Sequence, residues 1–239
     1  IFGGAWQYKR RNQKISYLNM INECINADTI ECPTKLNDNE IRNEYKFKKI
    51  YCEGYPDFNN EIYIQAGKPP NNSKINRSEY MDGSCFVYTP IKTIDNDVIL
   101  LNRGWTPINK INDTINNEKL LHNNNDGKYK FEGIIMPFPK LPKNIATFDV
   151  KQKIWPYLND NLINQKYGTQ FNESNTAIIC RVTEPKLNNN KDIKNPYPIR
   201  FNKYELTNVN VPPMQHSFYV ILMTMMGIYS FGLALWHHK

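Results

Sequence analysis

Chemistry near neutral pH asks first for histidine, and this chain of 239 residues has four: His122, His216, His237 and His238. Imidazole is the side chain whose charge changes around neutrality, so it serves as general base, proton carrier or metal ligand. A Ser-His-Asp or Cys-His arrangement would have to use His122, in an Asn-rich loop, or His216, at the head of an apolar run. The chain lacks a Gly-rich phosphate loop, a Gly-x-Ser-x-Gly elbow and a His-Glu-x-x-His pair. Asp95 and Asp97 flank an expected turn, where carboxylates are solvated and not paired as acid and base. The expectation is a protein that is not an enzyme and has no catalytic residue.

Sulfur chemistry is the next candidate. Cys24, Cys32, Cys52, Cys85 and Cys180 are odd in number and show no Cys-x-x-Cys spacing, against a structural zinc site or a thioredoxin motif. One disulfide is open to them if the domain faces an oxidising space. Buried free thiols are the expected state, and no metal site is expected.

The elements that must position any site begin at the C-terminus. Phe218 to Trp236 contains no charged residue, and at ~1.5 Å per residue it reaches about 28 Å as a helix. That is close to the ~30 Å hydrocarbon core of a bilayer. Its apolar residues keep to no single face, unlike the stripe of a surface helix. Tyr219, Tyr229 and Trp236 suit the lipid-water boundary, and Pro212-Pro213 halts the helix upstream. The stretch reads as a membrane span over 217–236.

At the other end, Ile1-Phe-Gly-Gly-Ala5 reads as the last turn of an earlier span, with Gln7 to Lys14 as its watery end. Ile15, Leu18, Ile21 and Ile25 recur at helical spacing, so residues 5–26 are expected to be a helix leaving the membrane. Asn39 to Tyr45 is expected as a short helix. Runs rich in β-branched and aromatic residues follow, at Phe47–Cys52, Glu61–Gln65, Cys85–Thr89, Val98–Asn102, Tyr129–Met136, Ala177–Val182 and Arg200–Leu206. Loops rich in Asn, Pro, Asp and Gly separate them, and Asp160–Lys166 reads as a helix. The fold class expected is membrane-anchored α+β: a mostly antiparallel, barrel-like sheet with few helices, flanked by a transmembrane helix or helices. The domain order expected is a span ending at 1–5, a soluble domain over 6–216, and the span at 217–236.

The chain is polar, with a mean hydropathy of −0.64, and basic, at +7. Lys and Arg are scattered without an aromatic-basic platform, so nucleic acid is not an expected partner. About one residue in seven is Asn, far above ordinary usage. Tracts such as Asn123–Asn125 and Asn188–Asn190 read as loop insertions from an A+T-rich genome.

The strand Val98–Asn102 runs into Arg103-Gly104-Trp105-Thr106-Pro107. A strand ending in Arg-Gly-Trp-x-Pro resembles the signature of the Surfeit locus 1 family, proteins that support cytochrome c oxidase assembly. Four further matches lie in the family's order: Gly4-x-Trp6-Gln7-x-x-Arg10, Gly83-x-x-x-Val87-Tyr88-Thr89-Pro90, Phe131-Glu132-Gly133-Ile134 and His216-x-x-Tyr219. Met214-Gln215 stands where the family usually has an Asn pair, and the family's first span is not in this chain.

These residues also have physical readings of their own. Gly104 suits a backbone with positive φ, Trp105 brings a large apolar surface, and Pro107 fixes the strand's exit. Arg103 either binds a partner's carboxylate or caps carbonyls of its own turn. Trp6 and Gln7 suit a lipid-water boundary, where Lys9, Arg10 and Arg11 would meet headgroups or stay solvated. His216 is the one candidate for cofactor chemistry: a haem ligand, as the resemblance implies for haem a, or an interfacial histidine bonded to lipid or backbone.

The resemblance implies the mitochondrial inner membrane, with the bulk of the chain facing the intermembrane space, and partners among cytochrome c oxidase subunits and membrane lipid. It leaves open a transient assembly factor, a haem-site chaperone and a resident accessory subunit. Outside the family, Asn-x-Ser/Thr triplets at Asn71, Asn76, Asn112 and Asn172 would suit a membrane protein of the secretory pathway.

Overall fold

Runs of β-branched and aromatic residues become strands when both of their faces find cover. The computed structural model describes residues 2–32, 44–70, 75–94, 98–115, 127–138, 152–167, 177–180, 197–202, 205 and 213–237. The strands are β1 (Ile30–Glu31), β2 (Lys49–Pro56), β3 (Ile62–Ala66), β4 (Ser84–Thr93), β5 (Val98–Pro107), β6 (Tyr129–Pro137), β7 (Ile154–Trp155) and β8 (Ala177–Cys180). Among the described residues the longer helices are α1 (Phe2–Asn26), α2 (Asp160–Tyr167) and α3 (Pro213–His237), and a helical turn follows β5 over 111–115. Two compact units emerge: Ile1–Glu23 with Thr207–Lys239, and Cys24–Leu206.

The larger unit is a closed barrel with appended strands. β2, β6, β8, β5 and β4 are neighbours in that order, and β4 returns to β2 at Gly54↔Thr93 through Pro56↔Ile91. Closure removes the open edges that an isolated sheet would present. Most pairings are antiparallel, while β1–β2, β3–β7 and β5–β8 are parallel. Gly54 lets the ring close, because a Cβ there would sit 2.6 Å from Ile91 Cγ2 and 2.7 Å from the Lys92 carbonyl oxygen.

Alternation along β5 sends its residues to two cores. Ile99 and Leu101 join Ile50, Cys52, Ile91, Phe131, Ile135 and Ile179 in one buried cluster. Leu100 joins Ile62, Ile64, Trp155, Ile163 and Ile178 in another. Helix α2 contributes Ile163 to that second cluster, and its first turn is capped where Asn159 Oδ1 accepts the Leu162 N–H at 3.1 Å.

Several sequence expectations change. Part of the strand expected over Arg200–Leu206 lies outside the described residues; just before it, Ile199 makes an isolated antiparallel bridge with Trp105. Within it, Glu205 N–H donates to Asn202 O at 2.9 Å and Asn202 N–H to Glu205 Oε2 at 3.2 Å. Cys32 and Cys52 form a disulfide in place of free thiols, since β1 beside β2 brings their Cα atoms to 5.0 Å. Cys24, Cys85 and Cys180 are free. The two-residue strands β1 and β7 are too short to show periodicity. The helix expected over 39–45 lies mostly outside the described residues, as does His122.

In the smaller unit, α1 and α3 run antiparallel. Gly3 approaches Met223 and Gly4 approaches Thr224, while Gln7 meets His216 and Arg11 meets Ser217. Within α3, Pro213–Ala234 has a mean hydropathy of 1.6, and its 22 residues span about 33 Å at the helical rise. The helix is long and apolar enough to cross a membrane.

Candidate functional site

The Arg-Gly-Trp turn is built by a bulge. Tyr88 pairs with Asn102 and Val87 with Gly104, so Arg103 is the extra residue on β5. A bulge re-aims a side chain, and here the guanidinium turns into the domain. Arg103 Nη2 lies 2.5 Å from Glu61 Oε1, with side-chain exposures of 0% and 1%. Nε donates to Thr89 Oγ1 at 2.8 Å, and Nη1 to the Thr114 carbonyl at 2.9 Å. Thr89 Oγ1 in turn donates to Glu61 Oε1 at 2.6 Å, and Tyr63 Oη to Glu61 Oε2 at 2.8 Å. The guanidinium also lies over the Phe58 ring at 5.4 Å.

A buried charge is tolerated when it is paired and its remaining hydrogen-bonding groups are satisfied. Burial first, and then the charge of Glu61, raises the Tyr63 hydroxyl far above its usual range, which keeps it a donor to the carboxylate. Burial also pushes the neighbouring Cys85 thiol up to about 12, so it is not a reactive thiolate. The arrangement holds β3, β4, β5 and the residues after β5 together. It does not present Arg103 to a partner.

Gly104 has φ +135°, and a Cβ there would fall 2.2 Å from the Ile199 carbonyl oxygen. Asn102 Oδ1 accepts the Gly104 N–H at 3.1 Å, closing the turn from its own side chain. Trp105 is fully buried. Its backbone exchanges hydrogen bonds of 2.8 and 2.7 Å with Ile199, and its ring meets Tyr80 edge-on at 5.6 Å. Pro107 is buried at the end of β5, opposite Ser84.

The second constellation lies in the helical unit. Gln7 Oε1 is 2.6 Å from His216 Nδ1. A carbonyl oxygen opposite Nδ1 makes that nitrogen the donor and leaves the lone pair on Nε2. Nε2 is buried and has no hydrogen-bond partner among the described residues. Arg11 Nε donates to Ser217 Oγ at 2.8 Å one residue further along α3. Tyr219 Oη accepts from Gln215 Nε2 at 3.4 Å. Trp6 is exposed, and Arg10 reaches Gln13 Oε1 at 3.4 Å.

Of the residues singled out from sequence, Gln7 and His216 meet across 209 positions, and Arg103, Gly104, Trp105 and Pro107 share one strand end. Sequence reasoning missed the roles of Glu61, Tyr63 and Thr114; Glu61 opens an alternating run, but nothing in its spacing marks it as the partner of Arg103. Thr89 was visible only as part of a motif. Among the described residues no group of His, Cys, Asp and Glu is arranged to hold a metal ion.

Comparison with known proteins follows the same outline. The model of the SURF1 family matches residues 1–222. The chain is 27% identical to a SURF1-like protein of Rickettsia felis over 82% of this chain and 76% of the relative. It is 24% identical to Surfeit locus protein 1 of Takifugu rubripes over 70% of this chain and 69% of the relative. For Surfeit locus protein 1 of Arabidopsis thaliana the figures are 29%, 44% and 29%.

Proposed function

The chain belongs to the SURF1 family, and from that premise we propose that it supports the biogenesis or stability of cytochrome c oxidase. It does so from the mitochondrial inner membrane, with the barrel facing the intermembrane space and α3 as its anchor. The observation that carries this reading is the family match across nearly the whole chain, from the start of α1 into α3. Within the larger unit, the buried charges of Glu61 and Arg103 are paired with each other.

Association with oxidase subunits runs through α3 in this reading. Gly227 and Gly232 have no heavy atom near the position of a Cβ, which leaves room for a neighbouring helix to approach. Solubilising the membranes in mild detergent and quantifying this chain against a core oxidase subunit tests the proposal. A trace confined to immature intermediates marks a transient assembly factor, and a ratio near one marks a resident subunit. Absence from every oxidase-containing species overturns both.

One observation favours a haem-site chaperone as the second reading. His216 holds a buried Nε2 with no hydrogen-bond partner among the described residues, and Gln7 orients the ring through Nδ1. That donor chemistry would suit ligation of haem iron by His216, with Gln7 holding the ring by its hydrogen bond. Haem would enter here as cargo. His216→Ala should then remove haem absorbance from the purified protein, and an unchanged haem content assigns His216 to helix packing.

A further inference from the structure

The exposed face of α1 next to the apolar helix has a composition that the proposed function does not use. Before Glu23, α1 carries Lys9, Arg10, Arg11 and Lys14 and no acidic residue, and α3 carries none. Positions 6, 9, 10 and 13 follow helical i, i+3, i+4, i+7 spacing and share one face. Trp6, Lys9, Arg10 and Gln13 are all exposed there. Together they line an open hollow of about 370 Å³. Gln7, Arg11 and Lys14 fall on the adjacent face and are half-buried.

The level of this face relative to α3 is defined by contacts. Gln7 bonds His216, and Arg11 bonds Ser217. Both partners lie in the first turns of α3, immediately before the exposed apolar run from Phe218 to Phe231. Among the described residues, no acidic side chain pairs with Lys9 or Arg10. Two cations, an amide donor and an exposed indole therefore sit where an apolar helix meets water. Indole rings favour that boundary, and cations there attract anionic headgroups.

We infer that Trp6, Lys9, Arg10 and Gln13 form a binding site for the phosphodiester headgroup of an anionic phospholipid. Lys9 and Arg10 neutralise the phosphate, the guanidinium donating two hydrogen bonds to its oxygens. The Gln13 amide donates to a headgroup or glycerol oxygen. Trp6 lies against the glycerol backbone, with its ring toward the acyl chains. A zwitterionic lipid places its own ammonium or choline against the same cations and binds more weakly. The inference rests on α3 spanning a membrane and is independent of any partnership with the oxidase.

The test titrates a short-chain phosphatidylglycerol against the full chain in a neutral detergent, with binding followed by native mass spectrometry. Lys9→Gln with Arg10→Gln keeps helix-compatible side chains and removes both charges. At about 1 kcal/mol per cation near an anionic surface, the dissociation constant should rise about thirty-fold. Phosphatidylcholine should bind more weakly to the wild type and respond little to the substitutions. Trp6→Ala should weaken phosphatidylglycerol binding without altering its salt dependence. Lys92→Gln with Lys110→Gln, on the barrel unit, should leave it unchanged. Inorganic phosphate at millimolar concentration should not compete; competition would identify a free-phosphate site in place of a lipid site. Phosphatidylglycerol affinity unchanged in the charge-neutral variant overturns the inference. So does loss of binding to an acidic peptide in that variant while lipid affinity stays constant, which would assign the face to a protein partner.

Discussion

Arg103 and Glu61 form a fully buried ion pair at 2.5 Å, 42 positions apart in the chain. The bulge that makes Arg103 the extra residue of β5 is what turns its guanidinium toward Glu61. Their hydrogen bonds to Thr89, Tyr63 and Thr114 satisfy groups that would otherwise be orphaned in the interior.

Breaking the pair from one side strands the other charge. Arg103→Met or Glu61→Leu alone should destabilise the barrel by about 3–5 kcal/mol, while the double substitution should cost less than the sum of the two. Chemical denaturation of the four proteins in one detergent reads this coupling. Additive costs would show that the charges are not energetically linked.

Gly104→Val should destabilise by about 3 kcal/mol or prevent folding, because a positive φ and a close carbonyl both oppose a side chain there. Gly127→Ala provides the contrast. It also has positive φ, but open space surrounds its Cβ position, so the cost should stay near 1 kcal/mol. Equal melting temperatures for wild type and Gly104→Val would refute the close approach of residues 199 and 200.

The Cys32–Cys52 bond links β1 to β2 across a sequence separation of 20. Cross-linking a loop of that size restricts the unfolded chain by about 3 kcal/mol on the loop-entropy account. Cys32→Ser with Cys52→Ser should lower the melting temperature, and dithiothreitol should lower it in the wild type but not in the variant. A wild type insensitive to reductant would show the pair to be unbonded.

Acid should act on Glu53. Hydrogen bonds from Lys128 and Lys130 hold its carboxyl near 2, against an ordinary 4.5. A depressed pKa in the folded state stabilises the fold above the unfolded value and loses that contribution as pH falls from about 4.5 towards 2. The stability difference between wild type and Glu53→Gln should therefore be largest near neutrality and close over that window. Added salt should shrink it, because the pairs lie at the surface. A difference independent of pH would remove the charge from the explanation.

What the residues determine by themselves is local. An uncharged run from Phe218 to Trp236 is apolar all round, so its solvent preference is legible without any partner. The β-branched runs specify strands, because a strand's burial pattern repeats every second residue; β2 to β6 lie where those runs do. The order of motifs from Gly4 to Tyr219 carried the family assignment. Tertiary structure decided everything that depends on pairing across the chain: closure of the barrel at Gly54, the disulfide, the partner of Arg103, and the meeting of Gln7 with His216 over 209 positions. Local propensity acts within a few residues and costs little to override. Burying a charge is expensive until its partner arrives, and which residue arrives is set by topology and strand register.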